Sequence, residues 1–181
     1  FTQKGKCFWM RVYEIPEGSK TSKGRAIQNL INIEQDDKVK AFINTQDLKD
    51  EEYINSHCVI MATKQGQIKK TSLEQYSRPR ANGINAITVK DGDELLEAKL
   101  TNGESEILIA VKSGKAIRFE EGKTRPMGRN ASGVRGITLN GPDDAVVGMV
   151  SVNDLNTDIL VVSANGYGKR SSLEDYRATN R

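Results

Sequence analysis

The feature that most constrains this chain is an internal repeat. One pattern of glycine, basic, apolar and acidic residues recurs about three and a half times. A turn ending in glycine comes at Lys4-Gly5, Gln65-Gly66, Ser113-Gly114 and Asn165-Gly166. Each completed unit carries a second glycine, at Gly24, Gly83 and Gly133. An apolar pair three residues apart follows: Ile27 and Leu30, Ile84 and Ile87, Val134 and Ile137. Beyond it stand two acids, Asp36 and Asp37, Asp93 and Glu94, Asp143 and Asp144, and then an aliphatic residue, Val39, Leu96 or Val146. The turn glycines divide the chain into units of 61, 48 and 52 residues (5 to 66, 66 to 114, 114 to 166). Periods of this size belong to arrays in which each unit is a small antiparallel sheet that buries its faces against its neighbours. The expectation is one repeat domain over residues 1–181, with approximate units 1–65, 66–113, 114–165 and 166–181, incomplete at both ends and so part of a longer protein.

The strand signals are local. Glu106-Ile107-Leu108-Ile109-Ala110-Val111 is a short aliphatic run that meets Ser113-Gly114, and Lys115-Ala116-Ile117-Arg118-Phe119 follows. Two such runs about an x-Gly pair read as a hairpin, because its turn needs a positive φ that glycine adopts without a Cβ clash. Residues 58–62 and 158–162 repeat the design before Gln65-Gly66 and Asn165-Gly166. A continuous apolar run predicts a strand covered on both faces. No stretch has sustained helical periodicity, although one helical turn fits residues 72–76 and 172–176. Residues 45–57, polar and acidic, read as a surface loop that lengthens the first unit.

Net charge is only +3, so bulk basicity does not point to nucleic acid. The distribution of charge does. Residues 64–80 hold five Lys or Arg against one acid, and residues 91–106 hold one against six. Residues 112–135 hold seven against two, and residues 140–160 none against four. Stacked units bring equivalent positions to equivalent places, so the basic halves are expected to line up as one stripe able to follow a phosphate backbone. The candidates are Lys20, Lys23 and Arg25, then Lys69, Lys70, Arg78 and Arg80, then Arg118, Arg125, Arg129 and Arg135, then Lys169 and Arg170. The runs Gly18-Ser19-Lys20-Thr21-Ser22-Lys23-Gly24-Arg25 and Met127-Gly128-Arg129-Asn130-Ala131-Ser132-Gly133 mix glycine, polar side chains and cations, the usual phosphate contacts.

Other chemistries lack their parts. His57 is the single histidine, and with Cys58 it leaves a metal site two ligands short. A Ser-His-Asp triad would rest on that same histidine, with no Gly-x-Ser-x-Gly elbow. No Gly-Lys-Ser/Thr stands before a helix to bind nucleotide. The acids recur at turn-like positions, which turn chemistry explains better than Mg²⁺. Trp9, Tyr76 and Tyr176 read as packing residues, and Cys7 and Cys58 as free thiols. No metal, no cofactor, no catalytic residue, no export signal and no membrane-spanning segment are expected. A protein-interaction platform stays open beside DNA binding.

The residues also carry a resemblance. Trp9-Met10-Arg11-Val12-Tyr13-Glu14-Ile15-Pro16, Ser22-Lys23-Gly24-Arg25-Ala26-Ile27, Arg125-Pro126-Met127-Gly128, Ser132-Gly133-Val134-Arg135-Gly136-Ile137 and Asn165-Gly166-Tyr167-Gly168-Lys169-Arg170 resemble the C-terminal domain of bacterial DNA gyrase A subunits. The resemblance covers the whole chain. It implies an all-β fold, the β-pinwheel: a propeller-like array of four-stranded antiparallel blades that exchange strands, here a partial array. It implies sequence-tolerant binding and wrapping of double-stranded DNA in support of negative supercoiling, in a cytoplasmic, nucleoid-associated enzyme. The chain would then be a non-catalytic part of an ATP-dependent type IIA topoisomerase. The partners implied are the rest of the A subunit, which holds the DNA-cleaving tyrosine, and the ATPase B subunit. The family's Gln-Arg-Arg-Gly-Gly-Lys-Gly box has no counterpart here, which leaves the related domain of topoisomerase IV as an alternative.

Overall fold

A computed structural model describes residues 1–180. Among them are eleven strands: β1 (Lys6–Cys7), β2 (Cys58–Thr63), β3 (Gln67–Ser72), β4 (Ile84–Asn85), β5 (Leu95–Thr101), β6 (Glu106–Val111), β7 (Ala116–Glu120), β8 (Val134–Arg135), β9 (Val146–Val152), β10 (Asp158–Val162) and β11 (Gly168–Ser172). The hairpins fall where the turn glycines predict. β2 pairs with β3, β6 with β7 and β10 with β11, all antiparallel. In the first of these the turn closes by Gly66 N–H donating to Thr63 O (3.0 Å), with Gly66 at φ 85°. Residues 64–66 form a three-residue loop whose last position is left-handed, which is why glycine is placed there.

The hairpins are joined by exchange. β8 lies in the third unit, yet it pairs with β3 of the second, in the order β5-β2-β3-β8. β4 of the second unit pairs in the same way with β1 of the first. The turn glycine is the meeting point. Gly66 O accepts from Gly136 N (2.8 Å) and Ile137 N (3.3 Å), as Gly5 O accepts from Ala86 N (2.8 Å) and Ile87 N (3.2 Å). The third unit's sheet is β7-β6-β9, and alongside β7 a parallel bridge joins Arg118 to Ala178. The corresponding bridge one unit earlier joins Lys70 to Pro126. This is the strand-exchanged propeller that the resemblance implies.

Packing follows from strand alternation. Val59 and Met61 of β2 join Cys7, Leu73, Tyr76, Ile87 and Leu95 in one core cluster. Ile60 and Ala62 point the other way, into a second cluster with Ile68, Ile107, Ile109, Phe119 and Met149. β6 does the same, since Leu108 leaves Ile107 and Ile109 for a third cluster with Val152 and Leu173. Each blade is thus a layer between two cores, and the run of apolar residues needs no polar alternation. β10 departs from the expectation: Leu160, Val161 and Val162 are exposed, because no described sheet lies over them. Short 3-10 turns follow the hairpins, at Leu73–Tyr76 and Leu173–Asp175, where Ser72 Oγ and Ser172 Oγ accept from Glu74 N and Glu174 N. Tyr76 is buried and Tyr176 packs on the third cluster. Trp9 lies against the first cluster, and its Nε1 donates to Tyr76 O (3.1 Å). Residues 45–57 are more than a loop. They contain a short helix, α1 (Glu51–Ser56), capped by Asp50 and held by Ile54 in the core.

The acids brace the turns. Asp37 Oδ1 accepts from Lys4 N (3.0 Å), Asp93 Oδ1 from Gln65 N (2.9 Å) and Asp144 Oδ1 from Ser113 N (2.9 Å). The Asp144 carboxyl is held below the usual range, chiefly by the Asn140 N–H. The aliphatic two positions on is Val39, Leu95 or Val146, each paired with the strand before a turn. In the second unit the register is therefore Asp93 and Leu95, one residue earlier than an alignment through Glu94 and Leu96 places it.

Gly133 marks the exchange itself. It holds φ 86°, and a Cβ there would collide with Ile68 O of the neighbouring blade. Gly114 has φ 86° too, but open space around it. Gly133→Ala is expected to cost more stability than Gly114→Ala: about 1–3 kcal/mol from backbone strain, plus the displacement of β8. Urea unfolding of the two variants checks this, and equal losses would contradict it.

Candidate nucleic-acid interface

The structure sorts the cations into three groups. The first lies at the first two hairpin turns and is ion-paired, whereas Lys112 and Lys115, exposed at the third turn, meet no carboxylate within ion-pair distance among the described residues. Lys4 Nζ meets Glu34 Oε2 (2.9 Å) and Asp36 Oδ2 (2.7 Å), and Lys6 Nζ meets Glu34 Oε1 (2.6 Å). Lys64 Nζ lies 3.3 Å from Glu94 Oε1, which Lys40 also approaches at 3.6 Å. The Glu34 carboxyl falls to about 2 through its bonds to Lys6 and Lys4. In the first unit the acidic half folds back on its own lysines, and Glu94 of the second unit meets two lysines of the first.

The second group is turned inward, with Lys69 and Lys70 buried and Arg118 half-buried, which sequence reasoning missed. Lys69, Lys70 and Arg118 are not exposed phosphate ligands. Lys69 is wholly buried in β3, and its Nζ donates to Ala86 O and Arg129 O, both at 2.6 Å. Desolvation, with Arg129 nearby, lowers its pKa to about 8. Lys70 Nζ pairs with Glu121 Oε1 (2.8 Å), whose carboxylate also accepts from Thr101 Oγ1 and Ser105 N. Arg118 pairs with Glu106 and donates to Leu173 O (2.9 Å) and Tyr176 O (3.0 Å). Trp9, Lys70 and Arg118 each stand four residues after a turn glycine, and each ties its blade to the 3-10 turn of the next unit. A spacing from glycine shared by an indole and two cations was the available signal.

The third group occupies the crossover segments between the 3-10 turns and the exchanged strands. Lys20, Lys23 and Arg25 lie on the first, Arg78 and Arg80 on the second, and Arg125 and Arg129 on the third. Arg135 stands on β8, where that crossover ends. All are exposed except Arg129, which is half-buried. Among the described residues, Lys20, Lys23, Arg25, Arg78, Arg80, Arg125 and Arg129 meet no carboxylate within ion-pair distance. Lys169 and Arg170 are exposed on β11, and Arg170 Nε is 3.3 Å from Asp158.

The second and third crossovers are each tied to the unit before. Asn32 Nδ2 donates to Asn82 Oδ1 (3.0 Å), joining the first unit to the second. Asn85 Nδ2 donates to Asn130 Oδ1 (3.1 Å), and Thr88 donates through Oγ1 to Asn130 O (2.8 Å) and through N to Ala131 O (3.2 Å). These bonds tie the third crossover to β4 and the residues just after it. Elsewhere, His57 Nδ1 faces Tyr53 O (2.9 Å) and Ser56 Oγ (3.0 Å). Among the described residues no three His, Cys, Asp or Glu side chains gather as a metal site, and no helix is long and apolar enough to cross a membrane.

Comparison with known proteins gives one answer. The family model described as the DNA gyrase C-terminal domain, beta-propeller, matches residues 1–46, 59–102, 105–153 and 157–181. The DNA gyrase A subunits of Salmonella typhimurium and Chlamydia muridarum are 42% and 41% identical over the whole chain, which covers 20% and 21% of their lengths. Among solved structures, the C-terminal domain of a DNA topoisomerase IV superposes with a TM-score of 0.86 at 26% identity, over 100% of this chain and 55% of that one. A DNA gyrase A C-terminal domain superposes at 0.82 with 25% identity, over 99% and 55%.

The buried pair has a measurable signature. Lys70→Met alone leaves the Glu121 carboxylate buried without its cation, and an expected loss is about 3–5 kcal/mol. Lys70→Met combined with Glu121→Leu, which places at 121 the residue found at 73 and 173, should recover most of that loss. Chemical denaturation of single and double variants checks it, and an unaltered midpoint for the single variant would contradict the buried pairing.

Proposed function

The chain belongs to the DNA gyrase C-terminal domain family, and we propose that it holds double-stranded DNA along its crossover loops and bends it. The observation that carries this reading is the sorting of charge. Lys4, Lys6 and Lys64 at the first two turns are ion-paired, Lys69 and Lys70 of β3 are buried, and Lys20, Lys23, Arg25, Arg78, Arg80, Arg125 and Arg129 on the crossovers meet no carboxylate within ion-pair distance among the described residues. A row of unpaired, mostly exposed cations raises a positive potential that neighbouring acids do not cancel. No recognition helix is present among the described residues, so contacts fall on phosphates and binding is sequence-tolerant.

Bending follows from the spread of the row. Curving 20–30 base pairs by 40–90° costs about 1–6 kcal/mol. One crossover supplies too few phosphate contacts to offset that, whereas linked crossovers on successive blades supply them together. The chain spans about a fifth of the length of its curated relatives. Its place is therefore within a gyrase-like enzyme, beside the rest of the A subunit and the B subunit, where the wrap favours negative supercoiling. Cleavage and ATP hydrolysis belong to those other parts, and this domain acts through its own side chains without metal or cofactor. Whole-chain identity near 40% favours a gyrase over a topoisomerase IV setting.

A mobility-shift titration between 50 and 200 mM salt tests the reading. With about five phosphates engaged, log K should fall against log salt with a slope of about −4 to −5. Arg78→Ala with Arg80→Ala should flatten the slope by about 2, since each phosphate contact contributes about 0.9. A slope near zero, or one that the double variant leaves unchanged, counts against it.

A further inference from the structure

The position three after the turn glycine is Phe8 in the first unit, Lys69 in the second, Ile117 in the third and Lys169 in the fourth, where it is exposed. The second-unit lysine is fully buried, where an apolar residue would fill the same kind of strand position. Its charge is not there for stability. The folded-state pKa of about 8 lies below the 10.5 of a free lysine, so the charged form costs stability below pH about 8, and that cost is relieved as pH rises toward 10.5. What the ammonium does achieve is geometric. It joins Ala86 O, just past β4 on the second unit, to Arg129 O, on the third crossover. Two charge-assisted bonds at 2.6 Å therefore fix the backbone of the residue that carries an unpaired guanidinium.

The same crossover is held at Asn130 and Ala131 by Asn85 and Thr88, and at Met127 by the bond from its N–H to Lys70 O (2.7 Å). Among these supports Lys69 is the one that acts through a buried ammonium, since Lys70 holds Met127 through its backbone carbonyl. We propose that Lys69 is a positioning residue for DNA binding: it never touches DNA, but presets the Arg129 crossover so that its cation meets phosphate without an ordering cost. This rests on the DNA-binding reading above. A loop held in its bound shape binds more tightly than the same charges on a mobile loop, because the entropy of ordering is already spent in folding.

The test separates position from charge. Lys69→Met and Lys69→Ile are made in this chain, the second copying the residue at 117; urea unfolding selects the variant that folds. Amide exchange is measured without DNA, and duplex affinity is measured across a salt series. Expected are faster exchange at Asn130 and Ala131, an affinity about 3- to 10-fold weaker at fixed salt, and a salt slope equal to that of the parent chain. Arg129→Ala, which removes a phosphate contact, should instead flatten the slope by about 0.9. A Lys69 variant that flattens the slope as Arg129→Ala does would show that Lys69 itself meets phosphate, and the proposal fails. Unchanged affinity and exchange overturn it equally. If the parent chain shows no salt-dependent binding at all, the DNA reading fails first, while the exchange data still decide whether Lys69 holds the crossover.

Discussion

The array depends on one exchange: two residues of each unit complete the sheet of the unit before. β4 on β1 and β8 on β3 are short, and their hydrogen bonds alone are modest. Their effect is larger than their length. They cover an edge that would otherwise leave backbone groups unpaired, and they seat Ile87 in the first core cluster and Ile137 against the second. The turn glycine makes this approach feasible. A Cβ on Gly66 would stand 2.8 Å from Ile137 O, too near for the two amides of the next unit to reach the Gly66 carbonyl. A unit of this kind cannot bury its faces alone, and stability resides in the junctions between neighbours.

The exchange also places the functional surface. To reach the preceding blade, each chain segment must cross over, and the crossovers of successive units come to lie side by side. Asn82 and Asn130 on the crossovers are each held by an asparagine of the preceding unit, Asn32 and Asn85. Surface ion pairs such as Lys4 with Glu34 contribute little to stability, so their main consequence here is to cancel field near the first two turns. Lys20, Lys23, Arg25, Arg78, Arg80, Arg125 and Arg129 on the crossovers have no such pair among the described residues. Charge sorting and blade connectivity are therefore two results of one topology. The tie formed four residues after each turn glycine, by Trp9, Lys70 or Arg118, serves the same junction from inside.

Much of this was legible in the sequence, because turn chemistry is local. A position that must be left-handed selects glycine, and glycine spacing then gives the repeat and the hairpins, while the exchange of strands came only from the family resemblance. Charge segregation by repeat phase was legible for the same reason. The burial of Lys69 and Lys70 was not. A strand covered on both faces has no polar alternation to mark which of its cations faces inward, and for Lys70 and Arg118 only the shared spacing from the turn glycine hinted at it. The brace was readable only to within one residue: Asp93 and Glu94 are adjacent acids, and only the bond to Gln65 N distinguishes them. The helix α1 has six residues, too few to display a period, and its cap Asp50 was one acid among many.

The central claim is that DNA lies along the crossovers and away from the turns. Site-specific photo-crosslinking tests it most directly. A photoreactive residue is placed singly at exposed Ala81 and Gly128 on the crossovers, and at exposed Gly92 and Asn140 near the turns. Each chain is then irradiated with a duplex of about 30 base pairs. The account predicts adducts from both crossover sites at neighbouring stretches of the same duplex, and little from the turn sites. Crosslinking as strong from Gly92 and Asn140 as from Ala81 and Gly128 would contradict it.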